Sequence, residues 1–270
     1  MRSSVSRGRR LLYGLFGLAV RPAPLVARLK CLLPSTTRSR SVVHVIGDSH
    51  VALFSGRDSM IDAWPRSSRD PSGRFRAYRL GPVLAYRLSD LAATARGREK
   101  LLATLAYGLV PPKGTVMLCF GEIDCRYHLL RQAELQERDA EEVVSECVAR
   151  YARVVLEVQA MGFATCVWGV IPANEVAPGE EDSEYPSRGT ARERNAVARI
   201  FNGLLADRLE PHGVPVISIF DSLVGPDGLP KRSYYMDSVH LSQTALPLAT
   251  EAISARRPVT RSRHLPGQSP

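Results

Sequence analysis

The chain has 270 residues, with 36 Lys and Arg against 27 Asp and Glu and a formal net charge of +9. Residues 1–40 hold nine basic residues and no acid, the first acid being Asp48, so the other 230 residues balance to zero. An excess that belongs to the ends and not to a domain excludes a globular nucleic-acid binder recognised by a single basic face.

At the start of the chain, Arg2 to Arg40 with an apolar run at Leu11–Val20 forms a basic extension or targeting segment. Three readings stand side by side: an organellar transit peptide, a poor signal peptide, and an amphipathic segment resting on an anionic membrane surface. The location read from this is cytoplasmic, with the transit peptide or membrane-surface contact through residues 1–40 as alternatives. No stretch reaches the 18 apolar residues of a membrane-spanning helix.

From residue 41 the pattern changes. Short apolar runs, each ending at a turn residue, predict strands at Val42–Ile46 (then Gly47), Phe75–Leu80 (then Gly81), Thr115–Phe120 (then Gly121), Phe163–Ile171 (then Pro172) and Val214–Phe220 (then Asp221). The strong runs are apolar on both alternating faces, as a parallel strand covered on each side by helices requires. Helical periods lie between them, at Leu101 to Leu109, Val144 to Val158 and Val197 to Leu209. The alternation predicts a three-layer α/β/α sandwich with a five-stranded, mainly parallel sheet. Residues 41–255 form that domain, and residues 256–270, with four further arginines, read as a basic, disordered tail.

The connections 55–74 and 174–189 are polar. The second carries five acids and reads as a flexible flap over the carboxyl ends of the strands, where ligands of such sheets bind. Five cysteines without a C-x-x-C pair suit buried free thiols better than a disulfide framework or a zinc site. Neither a metal nor a cofactor is expected.

Chemistry-bearing residues cluster at those strand ends. Gly47-Asp48-Ser49-His50 follows the first strand, and Asp237-Ser238-Val239-His240 precedes a final helical segment. A serine there becomes a nucleophile if an imidazole takes its proton and a carboxylate holds that imidazole in one tautomer. An Asp three residues before a His lets the carboxylate accept from Nδ1–H and leaves Nε2 facing the serine. Asp48 reads as structural, bonding turn amides, and His44, inside the first strand, as a core histidine.

Gly-Asp-Ser after an apolar first strand, with Asp-x-x-His about 190 residues later, resembles the SGNH/GDSL hydrolase superfamily from Val42 to Ala255. The resemblance implies a flavodoxin-like fold, Ser49 as nucleophile, His240 as general base and Asp237 as its orienting carboxylate. It implies an oxyanion hole from the N–H groups of Ser49 and Gly81 and an Asn side chain. The block expected to carry that Asn reads Gly121-Glu122-Ile123-Asp124-Cys125-Arg126, similar to some bacterial members of the superfamily. Isoleucine donates no hydrogen bond, and losing one oxyanion donor typically costs about 10²–10³ in kcat. Arg126, with Glu122 and Asp124, is the nearest candidate for a substrate or oxyanion contact, or else these three form a structural cluster. Asn195 and Asn202 are further candidates for the missing amide.

The resulting expectation is a serine esterase acting on a small O-acyl ester, such as an O-acetylated carbohydrate or a lipid ester, with no nucleic-acid partner. A non-catalytic carbohydrate- or anion-binding module of the same fold, or an O-acyltransferase, is the alternative.

Overall fold

The computed structural model describes residues 42–176 and 185–256. The basic extension, all of the tail beyond Arg256 and the centre of the acidic connection lie outside the described residues. Strands run over Val43–Gly47 (β1), Ser68–Arg69 (β2), Phe75–Arg79 (β3), Thr115–Cys119 (β4), Ala164–Trp168 (β5) and Val216–Ile217 (β6). Helices run over Gly97–Ala106 (α1), Leu129–Gln136 (α2), Ala140–Ala160 (α3), Ala191–Leu209 (α4), Phe220–Leu223 (α5) and Leu246–Ala255 (α6).

The sheet has six strands, ordered β2-β3-β1-β4-β5-β6, where the sequence pattern predicts five. The extra strand is β2, two residues inside the polar connection, antiparallel to β3 at the edge. An edge strand buries little, so it carries no apolar run to announce it. The other pairings are parallel, and their order is the doubly wound, flavodoxin-like one. The last predicted run, Val214–Phe220, divides: only Val216–Ile217 is strand, and Phe220 opens α5.

Alternation along the strands sends neighbouring side chains to opposite faces. Ile46, Val116, Leu118 and Val167 join a core with Leu101, Val155 and Phe201 of α1, α3 and α4. Val45, Met117, Cys119 and Cys166 join a second core with Leu53 and Phe54 after β1 and with Ala249 and Ile253 of α6. The chain moves from β1 to β3 in one direction across the sheet and from β3 through β6 in the other. Right-handed crossovers in opposite directions must lie on opposite faces. The segment after β1 and helix α6 therefore share a face, which brings the two halves of the candidate site together.

His44 tests the reading of a buried strand histidine. It is 4% exposed, its Nδ1 lies 3.2 Å from the Tyr78 hydroxyl, and that hydroxyl donates to the Leu109 carbonyl at 2.9 Å. Burial, with the Arg76 cation adding to it, lowers its pKa from 6.5 to about 4. The unfolded chain therefore takes up this proton first, and stability present above pH 6.5 drains away as pH falls through about 4, by up to roughly 3 kcal/mol. His44→Phe should flatten the fall in melting temperature over that window. An unchanged slope would mean that another group sets the acid limb.

Candidate active site

The site begins where β1 ends. A Cβ on Gly47 would lie 2.0 Å from the Cys119 carbonyl oxygen, so only glycine allows β1 and β4 to approach this closely at their carboxyl ends. Asp48 N–H then donates to the same carbonyl at 3.1 Å. The Asp48 side chain caps the 3₁₀ helix Ser49–Ser55 by accepting from His50 N–H at 2.9 Å, the structural role read for it from the sequence. Ser49 is thus the first residue of a helix, and its N–H has no intrahelical acceptor.

His240 approaches from the loop before α6. Asp237 Oδ1 accepts from the N–H groups of Val239 and His240 at 2.7 and 2.6 Å, and Met236 N–H donates to the His240 carbonyl at 3.0 Å. The loop is fastened to the helix after β1 by Gln243, whose Nε2 donates to the Leu53 and Arg57 carbonyls at 3.0 and 3.1 Å. On its other side Tyr235 Oη donates to the Pro172 carbonyl at 2.6 Å. Ser49 Oγ lies 2.8 Å from His240 Nε2, and His240 Nδ1 lies 2.8 Å from Asp237 Oδ2. Burial alone would disfavour the Asp237 charge. The hydrogen bond and charge of His240, with the two backbone N–H groups, outweigh it and hold this carboxyl well below the usual carboxylate range.

Register aligns a second donor with Ser49. Gly47 pairs with Arg79 across β1 and β3, and Leu80 N–H donates to the Gly47 carbonyl at 2.8 Å. Ser49 and Gly81 therefore stand at equal distance past the same pair. Gly81 has φ of +111°, and its N–H takes no protein acceptor among the described residues.

Behind the serine lies a buried polar cluster. The His50 ring packs against His240 with centroids 4.8 Å apart. Its Nε2 lies 3.1 Å from Glu122 Oε2, and Arg126 Nε donates to Glu122 Oε1 at 2.8 Å. Burial disfavours the Glu122 charge, but His50 and Arg126 reverse that and lower its pKa to about 2. The His50 pKa is itself lowered by burial, against the pull of Glu122. Asp48 is raised well above the usual range, chiefly by burial and then by Glu122 and Asp124, with the His50 N–H opposing.

The residues read as candidate substrate contacts are turned inward. Asp124 has no exposed surface; its oxygens accept from Ala85 and Tyr86 N–H at 2.7 and 3.1 Å, and burial raises its pKa to about 6. It anchors the loop after β3. Arg126 is 6% exposed, donates also to the Tyr185 carbonyl, and accepts Arg188 N–H on its own carbonyl at 2.9 Å. It thereby ties the returning end of the acidic connection to Glu122. Ile123 is buried.

Neither Asn195 nor Asn202 replaces the missing amide. Asn195 spans the N–H and carbonyl of Ala173 at 2.6 and 3.4 Å, and Asn202 those of Val170, both at 2.8 Å. Both side chains are spent on the loop after β5. The buried Asn174 was not singled out by the sequence; its Nδ2 lies 3.5 Å from the Ser238 carbonyl. Its position just past a strand end was the available signal.

No protein-family model matches the chain, and no curated protein matches it either. Solved structures do. The chain is similar to a GDSL-like lipase from Bacteroides thetaiotaomicron, at 14% identity over 85% of this chain and 92% of that one, with a TM-score of 0.44. It is similar to an acetyl xylan esterase at 13% identity over 79% and 98%, TM-score 0.44. It is also similar to the OSK domain of Drosophila Oskar at 9% identity over 78% and 86%, TM-score 0.47.

The Glu122–Arg126 pair gives a stability prediction. Both side chains are at most 10% exposed, and removing one partner of a buried pair strands the other charge at a cost of about 3–5 kcal/mol. Glu122→Gln should lower the urea midpoint accordingly. An unchanged midpoint would show that Arg126 is neutralised elsewhere.

Proposed function

We propose that the chain is a serine ester hydrolase acting on a small O-acyl ester. The observation that carries this reading is the continuous line of hydrogen-bonding atoms from Ser49 Oγ through His240 to Asp237, each link 2.8 Å long. Nucleophile and base are within proton-transfer distance, and the base is oriented by a third group.

In this reading His240 Nε2 takes the Ser49 proton as Oγ attacks the ester carbonyl. Asp237 holds the Nδ1–H tautomer and stabilises the imidazolium that forms. The tetrahedral oxyanion rests on the Ser49 and Gly81 N–H groups. The leaving alkoxide takes the proton from His240, and the acyl group stays on Ser49 as an ester. His240 then deprotonates a water, which attacks that ester and frees the acid and Ser49 Oγ–H. An acceptor hydroxyl in place of water would make the same site an acyltransferase. O-acetylated carbohydrate and lipid esters are the substrate classes that the family resemblance implies.

With Ile123 in the position where the family resemblance expects an Asn, a hole of two backbone donors would make a slow enzyme, unless Asn174 supplies the amide. Hydrolysis of an activated acetyl ester tests the assignment. Asp237→Asn, which leaves the carboxylate's shape but presents the wrong tautomer to His240, should lower kcat about 10³–10⁴-fold with little change in KM. Parent-like turnover in that variant and in His240→Ala would show that this triad does not carry the reaction, and a folded parent without turnover would leave a non-catalytic ligand-binding module as the remaining reading.

A further inference from the structure

The peptide between Leu80 and Gly81 is held by a charge. Lys100 Nζ donates to the Leu80 carbonyl at 2.7 Å. It is also the one atom that a Cβ on Gly81 would meet within 4 Å, at 3.6 Å. Lys100 sits in the first turn of α1, which Arg96 opens with φ of +51° and no side-chain cap. A cation in that turn is opposed by the exposed N–H groups of the helix end. Burial, and then the Arg96 cation, lower its pKa from the ordinary 10.5, so the ammonium has given up part of its hydration. Glu99 in the same turn favours the ammonium, and the ammonium itself is turned onto the Leu80 carbonyl.

In a trans peptide the C=O and N–H point in opposite directions. Fixing the Leu80 carbonyl therefore fixes where the Gly81 N–H points. Gly81, at φ of +111° and without a Cβ, would otherwise let this peptide rock. A cation on the carbonyl also draws electron density across the amide and makes its N–H a stronger donor.

We propose that Lys100 is a positioning residue of the oxyanion hole, which holds and polarises the Leu80–Gly81 peptide and so offsets part of the donor lost at Ile123. This rests on the ester-hydrolase reading above and goes beyond it, because Lys100 itself need not touch the substrate.

The test uses Lys100→Met and Lys100→Arg in the full chain, with hydrolysis of an activated acetyl ester, thermal unfolding, and the Gly81 amide proton resonance as readouts. Lys100→Met should lose about 10- to 100-fold in kcat, less than a whole donor is worth, with KM within about twofold. The Gly81 amide proton should move upfield, and arginine, which can still donate to the carbonyl, should restore most of the rate. With melting temperatures close to the parent's, an unchanged kcat, a loss carried by KM, or a Lys100→Arg variant as slow as Lys100→Met would overturn the proposal. A parent without turnover would count against the hydrolase reading alone. The Gly81 resonance then decides separately, and an unmoved signal in Lys100→Met would overturn the positioning role.

Discussion

The missing side chain of Gly47 governs the geometry of this protein. Any other residue would drive a Cβ into the Cys119 carbonyl oxygen, 2.0 Å away, and push β1 from β4 at the point where the strand order reverses. Because the contact is allowed, Asp48 can bond that carbonyl and cap the helix behind it. Ser49 then emerges at the head of a helix with a free N–H, above the crevice where ligands of doubly wound sheets bind. The same reversal puts the segment after β1 and the approach to α6 on one face, and Gln243 ties the two together. A backbone contact of one glycine thus sets a distance between side chains 191 residues apart.

Under this surface the charges are arranged by burial and pairing. Glu122 is kept ionised by its bonds to His50 and Arg126, while burial pushes Asp48 and Asp124 upward, with Arg126 opposing it at Asp48. Three acids lie within one buried neighbourhood, and the one paired with a guanidinium keeps its charge most firmly. The His50 ring contacts both Glu122 and His240.

Much of this was legible in the sequence, for physical reasons that differ by residue. Buried parallel strands need continuous apolar runs, so β1, β4 and β5 declared themselves to within two or three residues. The edge strand β2 buries almost nothing and left no signal. Asp237 and His240 were readable because a carboxylate and an imidazole three residues apart on a turn bond locally, and His240 Nε2 stands 2.8 Å from Ser49 Oγ. Gln243, Asn174 and Lys100 were not, since their partners are backbone carbonyls in distant segments and no spacing rule announces such contacts. For Arg126, Glu122 and Asp124 substrate contact and structural cluster stayed open, because a charged residue gives no sign, in one dimension, of which way it faces. The structure turns Asp124 onto the loop after β3 and Arg126 onto Glu122 and Tyr185.

The central claim is that Ser49 is a nucleophile activated by His240. Incubation of the full chain with a fluorophosphonate, followed by peptide mass spectrometry, tests it most directly. The account predicts a single adduct on Ser49, absent in Ser49→Ala and strongly slowed in His240→Ala. Folded protein that stays unlabelled, or label on another serine that survives Ser49→Ala, would contradict it.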